Sequence, residues 1–220
     1  MKRRFLLIIL FIFIPFVTAC NESTISIIKK NVSDLRVNYF EGRGTYFSVA
    51  MSCGYREENF NYDGISTSSV ECGVITICFF ETHNYYSITA IVSIDGQDEE
   101  IVFLRSPYED VYMADVCRLL TKENIISVHL KNQTEVVDLI EISSGWEVDW
   151  NKAISIGVNH YKNEISGLIQ NKKISAEAYL KIIAKDEFDK KYWYFSIIDT
   201  KNNTFFCLID VNTGDVVSNI

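Results

Sequence analysis

Residues 85–104 read YYSITAIVSIDGQDEEIVFL. Two apolar runs flank Asp95-Gly96, a dipeptide whose two positions both tolerate positive φ. This is the pattern of a tight antiparallel hairpin. Upstream, TYFSVAMSC (45–53) alternates, with Phe47, Val49, Met51 and Cys53 on one face and Tyr46, Ser48, Ala50 and Ser52 on the other. VITICFF (74–80) is almost continuously apolar, as a strand covered on both faces would be. Downstream, IISVHL (125–130) and TEVVDLIEI (134–142) flank a short Lys131-Asn132-Gln133 turn. Short strands joined by short turns predict an antiparallel β-sandwich, Ig-like, or an open barrel over residues 34–142. One helix is expected to interrupt it. Ser106, Pro107 and Glu109 have the spacing of a capping box, and Tyr108, Val111, Tyr112, Val116 and Leu119 follow at helical intervals.

A second unit is expected over 146–220. Asp149 is placed to cap a helix whose stripe is Ile154, Val158, Tyr161, Ile165 and Leu168. Ser175, preceded by Ile174 as a staple, predicts another helix through Ala184. Strands follow at 191–199 and 204–211 around Lys201-Asn202-Asn203, and Asn212-Thr213-Gly214 turns into a last strand at 215–217. The fold class expected is therefore α+β: a sandwich-like domain followed by a small helix-plus-antiparallel-sheet unit.

The chain has 220 residues, 48% hydrophobic and 23% charged, which is ample apolar content to offset the entropy of folding. A net charge of −8 and a pI near 5.0 leave no basic stripe for phosphate contacts, so no nucleic acid is expected as a partner. The first residues differ in character: MKRRFLLIILFIFIPFVTAC. Three basic residues precede an apolar run from Phe5 to Val17, which spans roughly 20 Å as a helix against a hydrocarbon core of about 30 Å. The run suits a secretory signal better than a stable membrane span. It ends in Val17-Thr18-Ala19-Cys20: a branched apolar residue, two small ones, then a thiol.

Residues 1–20 thus resemble a bacterial lipoprotein signal peptide with its lipobox. The resemblance implies cleavage before Cys20, acylation of its sulfur and residence at the extracytoplasmic face of the cell membrane. Two acyl chains suffice for stable anchoring. The mature chain would carry 18 basic against 29 acidic residues, a net −11, and an acidic body is not drawn to an anionic lipid surface. Residues 20–33 are expected to be a tether, reaching roughly 43–47 Å when extended.

The C-terminal stretch carries another likeness. The start Ile174-Ser175-Ala176-Glu177-Ala178, the aromatic strand pair and the phrase Asp210-Val211-Asn212-Thr213-Gly214-Asp215-Val216 are similar to a PepSY domain. Tyr179-Leu180 departs from the small residues usual there. The resemblance implies an extracytoplasmic, non-catalytic module; such units occur in propeptides of thermolysin-type metallopeptidases, with an inhibitory or chaperoning role.

Chemistry is sparse. Neither HExxH, GxSxG nor a P-loop is present, so no metal and no cofactor is expected. His83, His129 and His160 fall on separate elements and are read as surface residues. Beyond Cys20 stand Cys53, Cys72, Cys78, Cys117 and Cys207. They are read mainly as small buried hydrophobes, Cys53–Cys72 being the pair most open to a bridge. Asp98, Glu99 and Glu100 beside Asp95 read as a solvated turn. The polar segment 54–64 is the most suggestive loop, with Tyr55, Arg56 and Tyr62 as candidate contacts for a partner, since Tyr and Arg anchor binding surfaces. Two functions are compatible with this sequence. One is a membrane-anchored, non-catalytic binding or inhibitory module for a protein, peptide or cell-wall partner. The alternative is a cell-envelope hydrolase with an unfamiliar site, which would need a pocket holding two titratable groups. The absence of catalytic motifs favours the first.

Overall fold

A computed structural model describes residues 24–58, 68–170, 173–185 and 190–217. Cys20 and the signal-like segment lie outside them. The fold is mostly β, and it corrects the expected architecture. Residues from the first half close into an eight-stranded antiparallel barrel rather than a sandwich. The strands are β1 (Val32–Arg43), β2 (Phe47–Glu57), β3 (Ser69–Phe79), β4 (Ser87–Ile94), β5 (Gln97–Arg105), β6 (Tyr112–Val116), β7 (Ile126–Leu130) and β8 (Val136–Glu141). Their order around the wall is β1-β2-β3-β6-β5-β4-β7-β8, and β8 returns to β1 through Phe40↔Glu141 and Glu41↔Ile140. Closure removes the exposed edges a sandwich would keep.

The predicted alternation holds along β2: Phe47, Val49, Met51 and Cys53 all point into the barrel core with Phe103, Ile75, Ile77 and Val128. Each fully buried large side chain contributes about 1.5–3 kcal/mol. The hairpin at 85–104 is β4–β5, with Asp95 at φ 52° and Gly96 at φ 78°. The helix expected from Ser106 does not form. Residues 106–111 are a connection, and Tyr112, Ala114 and Val116 turn inward at strand spacing on β6.

Closure depends on an absent side chain. A Cβ on Gly42 would stand 2.3 Å from the Asp138 carbonyl oxygen and 2.8 Å from Val137 Cγ1. Bare backbone at Gly42 on β1 therefore lets β8 come alongside.

β1 is also where the barrel wall divides. Its register against β2 shifts between Arg36 and Asn38, a bulge that bends the strand. Before the bulge β1 pairs in parallel with β11 (Ala176–Lys185), through Val32↔Ala178 and Leu35↔Leu180. β11 continues antiparallel into β12 (Lys190–Asp199), β13 (Thr204–Asp210) and β14 (Val216–Val217). So the second unit is not a separate helix-plus-sheet module: its sheet is an extension of the barrel wall. The helix expected at 174–184 is β11. Ala176, Ala178 and Leu180 alternate into a second core, while Glu177, Tyr179 and Lys181 alternate away from it. The start of the PepSY-like stretch is thus strand, whereas its closing phrase is the turn it suggested: the Asp210 carboxylate accepts from the Asn212 N–H and Gly214 sits at φ 79°.

The second core is roofed by α2 (Trp150–His160), preceded on the chain by α1 (residues 24–30) and followed by α3 (Lys162–Ser166). Asp149 caps α2 as expected, its carboxylate accepting from the Lys152 N–H at 2.7 Å. Ile154 and Val158 of α2, Ile165 of α3, Trp193, Phe195 and Ile28 of α1 fill this core. The stretch expected as tether is therefore helix and incoming strand from residue 24 onward, with Ile28 fully buried. Trp193 Nε1 donates to the Val148 carbonyl at 2.7 Å. A short β9–β10 pair (Ile169–Gln170, Lys173–Ile174) completes the element list.

Candidate functional site: an aromatic rim at one barrel end

The antiparallel order sends four connections to one end of the barrel: 44–46, 80–86, 106–111 and 131–135. The chain enters β1 at the opposite end, from α1. β3 and β4 are not neighbours, since β6 and β5 lie between them, so residues 80–86 cross that span of the mouth.

This end carries Tyr46, Phe80, Tyr85, Tyr86 and Tyr108, all exposed; Tyr85, Tyr86 and Tyr108 show 62, 83 and 93% of their surface to solvent. The backbone beneath them is tied down. Tyr112 Oη donates to the carbonyls of His83 (3.3 Å) and Tyr85 (3.0 Å), and the Arg105 N–H donates to the Tyr86 carbonyl at 3.1 Å. The Arg105 guanidinium pairs with Asp110 at 2.8 Å and donates to Asn84 Oδ1 at 3.4 Å, joining two of the connections. His83 packs edge-on against Phe79 and stacks on Tyr85. Arg43 lies 4.4 Å from the centre of the Phe80 ring. The Glu135 carboxylate accepts from the N–H groups of Thr45 and Tyr46, and the Thr45 bond foremost holds its carboxyl below the usual carboxylate range. Rings open to water on a tied backbone form a contact surface whose main chain is already ordered, so binding has to order the side chains but not the connections that carry them; tyrosine supplies large, amphipathic area with few rotatable bonds.

The residues singled out from sequence sit elsewhere. Tyr55 and Arg56 belong to β2, which runs on through Glu57, and not to a loop; Tyr62 lies outside the described residues. Arg56 pairs with Asp115 of β6 at 3.4 Å. It lines a hollow on the outer wall, away from the rim. Cys53 and Cys72 are both free thiols and face opposite sides of the β2–β3 ribbon: Cys53 lies in the barrel core, whereas Cys72 stands 3.7 Å from the Arg36 guanidinium. Burial pushes the Cys53 and Cys207 thiols up to about 11, which keeps both protonated and unreactive at neutral pH. His129 lies on β7 and His160 in the last turn of α2, far in sequence from His83 at the rim. Among the described residues no group of three or more His, Cys, Asp or Glu side chains gathers as a metal site, and no helix is long and apolar enough to cross a membrane.

The rim has no local signature, because the sequence places Tyr85 and Tyr86 in the hairpin stretch and Tyr108 on a helical stripe. The faint signal was density: Tyr85-Tyr86 and Tyr108 both flank strand ends. No protein-family model matches the chain, and no curated protein or solved structure matches it.

Proposed function

We propose that this chain is a lipid-anchored, extracytoplasmic recognition module. Acylated Cys20 holds it at the membrane and the aromatic rim grips a protein, peptide or cell-wall partner without turning it over. One observation carries this reading: three strongly exposed tyrosines, with Tyr46 and Phe80, gather on tied connections at the barrel end opposite the chain's entry. An anchor ahead of α1 and a grip at the far rim are then separated by the length of the barrel, which suits a protein that reaches outward from a surface. The lipobox-like Val17-Thr18-Ala19-Cys20 supports the anchor.

The test is a crosslinking capture from the protein's own cells, comparing wild type with the triple variant Tyr85→Ser, Tyr86→Ser, Tyr108→Ser. Hot-spot truncations cost about 2 kcal/mol or more each. The variant should keep its melting temperature and its place in the membrane fraction while losing at least tenfold in captured partner. Cys20→Ser should move the chain to the soluble fraction. Full capture by the triple variant overturns the role of the rim, and tight membrane association of Cys20→Ser overturns the anchor.

A further inference from the structure

The barrel wall is not sealed along its whole height. β4 pairs with β5 over the full hairpin, from Ile94↔Gln97 to Ser87↔Leu104. β5 pairs with β6 only at Leu104↔Met113 and Arg105↔Tyr112, at the end nearer the rim. Beyond those pairs the two strands part. β6 stays with β3 as far as Gly73↔Val116. Among the described residues, no strand pairs with residues 97–103 of β5 on the side away from β4.

The phase of the hairpin says which main-chain groups are left open there. A two-residue turn closes on a hydrogen-bonded pair, here Ile94 and Gln97, and antiparallel pairs then alternate. Asp98, Glu100 and Val102 therefore turn their N–H and C=O groups away from β4. The next strand agrees with this count: the carbonyl of Thr89, opposite Val102, points away from β5 and accepts from the Lys131 N–H at 3.1 Å. On β6, Val111 and Met113 face β5, the Val111 carbonyl accepting from the Ser106 N–H at 2.8 Å. Two residues on, the main chain of Asp115 faces the same way. These open groups border a hollow of about 520 Å³, within the roughly 300–1,000 Å³ of ligand sites. Val102, Leu104 and Met113 line it and are 56, 52 and 40% exposed. Ile101 and Ala114, which pack against the barrel core, line it too.

We propose that this slot takes an extended peptide segment with apolar residues at alternate positions, added to β5 as a strand. An open strand edge is a template for another extended chain. Main-chain bonds to Glu100 and Val102 supply the affinity, and the alternate side chains that reach Ile101 and Ala114 supply the selectivity. β6 stands across the slot, so a lone strand enters where the edge of a second folded copy, with its own sheet behind it, collides. This site is separate from the rim and does not depend on the anchored-module reading.

Fluorescence anisotropy on the full chain tests it, with a dye-labelled Val-Thr-Val-Thr-Val peptide blocked at both ends and the same peptide methylated at every main-chain nitrogen. The first should bind saturably. The second keeps the side chains but cannot donate main-chain bonds, and it should bind at least tenfold more weakly. Hydrogen exchange at the Glu100 and Val102 amides should slow at least tenfold under saturating peptide. Val102→Pro removes a donor that faces the slot and none that faces β4, so it should keep a urea midpoint near wild type and bind at least tenfold more weakly. The proposal is overturned if the peptide does not bind, if the methylated peptide binds as well, or if exchange at those two amides is unchanged. It is equally overturned if exchange there slows with protein concentration alone, the mark of a second copy, or if folded Val102→Pro keeps the full affinity.

Discussion

Gly42 has a structural role that no hydropathy pattern reveals. It is the penultimate residue of β1, still paired with β2, where glycine is ordinarily a liability because it costs backbone entropy and packs nothing. Here the missing Cβ is what admits β8, since the Asp138 carbonyl oxygen would lie 2.3 Å from it. That neighbour is backbone and cannot rotate aside. Gly42→Val is expected to open the β1–β8 seam or to displace β8. The cost should be of the order seen when a packed site is overfilled, about 1–3 kcal/mol. A urea titration reads this directly as a lower midpoint, and an unchanged midpoint would mean that β8 closes the barrel at some other distance. Gly54 repeats the theme, as its Cβ would collide with the Leu35 carbonyl of β1 beside the bulge.

Strands with strict alternation or an unmistakable turn were legible from sequence, and those whose identity depends on distant partners were not. β2, the β4–β5 hairpin and the β12–β13 pair could be read locally, as could α2 with its Asp149 cap. β11 could not. Its residues Ala176 to Ala184 are good helix formers behind a capping serine, yet the same letters alternate at period two, and pairing with β1 and β12 decides between the periods. β6 was hidden in the same way behind Ser106-Pro107. Barrel closure and the rim were illegible for one reason: both arise from which strand ends meet, not from any one segment. The β4–β5 turn carries a load beyond its shape. The Asp95 carboxylate accepts from the Ile125 N–H at 2.9 Å and from Asn124 Nδ2 at 2.8 Å, tying the hairpin tip to the approach of β7. These bonds, the Ile125 one foremost, hold its carboxyl below the ordinary aspartate value. A lowered folded value means the stabilisation is fully present above the ordinary carboxylate range and disappears as pH falls through the folded value. Asp95→Ala should therefore have a lower urea midpoint than wild type at neutral pH, and the gap should close as the solution is acidified. A gap that stays constant with pH would place the effect in the backbone turn, not in the carboxylate.

The molecule as a whole is two cores sharing one strand. Phe40 of β1 belongs to the barrel core and Leu35 of the same strand to the second core, and the seam between them is bonded as well as continuous. The Ile142 N–H donates to the Tyr39 carbonyl, Tyr39 packs on Trp146, and Lys191 of β12 reaches Glu41 of β1 at 2.9 Å. The anchored module proposed above would use this stiffness, because a hinge at β1 would let rim and anchor move independently. The three tryptophans of the chain, Trp146, Trp150 and Trp193, all lie in or against the second core, so their fluorescence reports that core alone. Far-UV circular dichroism instead includes the barrel strands, which no tryptophan reports. If β1 couples the cores, urea must move both signals along one transition, the usual criterion for a single cooperative unit. Asp34→Ala sharpens the test. It leaves Arg36 charged, buried and stripped of its ion pair, a loss that typically costs about 3–5 kcal/mol. Because Asp34 sits where barrel wall and extension meet, its removal should shift the fluorescence and dichroism midpoints together. A shift confined to fluorescence would instead make the extension a unit that unfolds while the barrel stands.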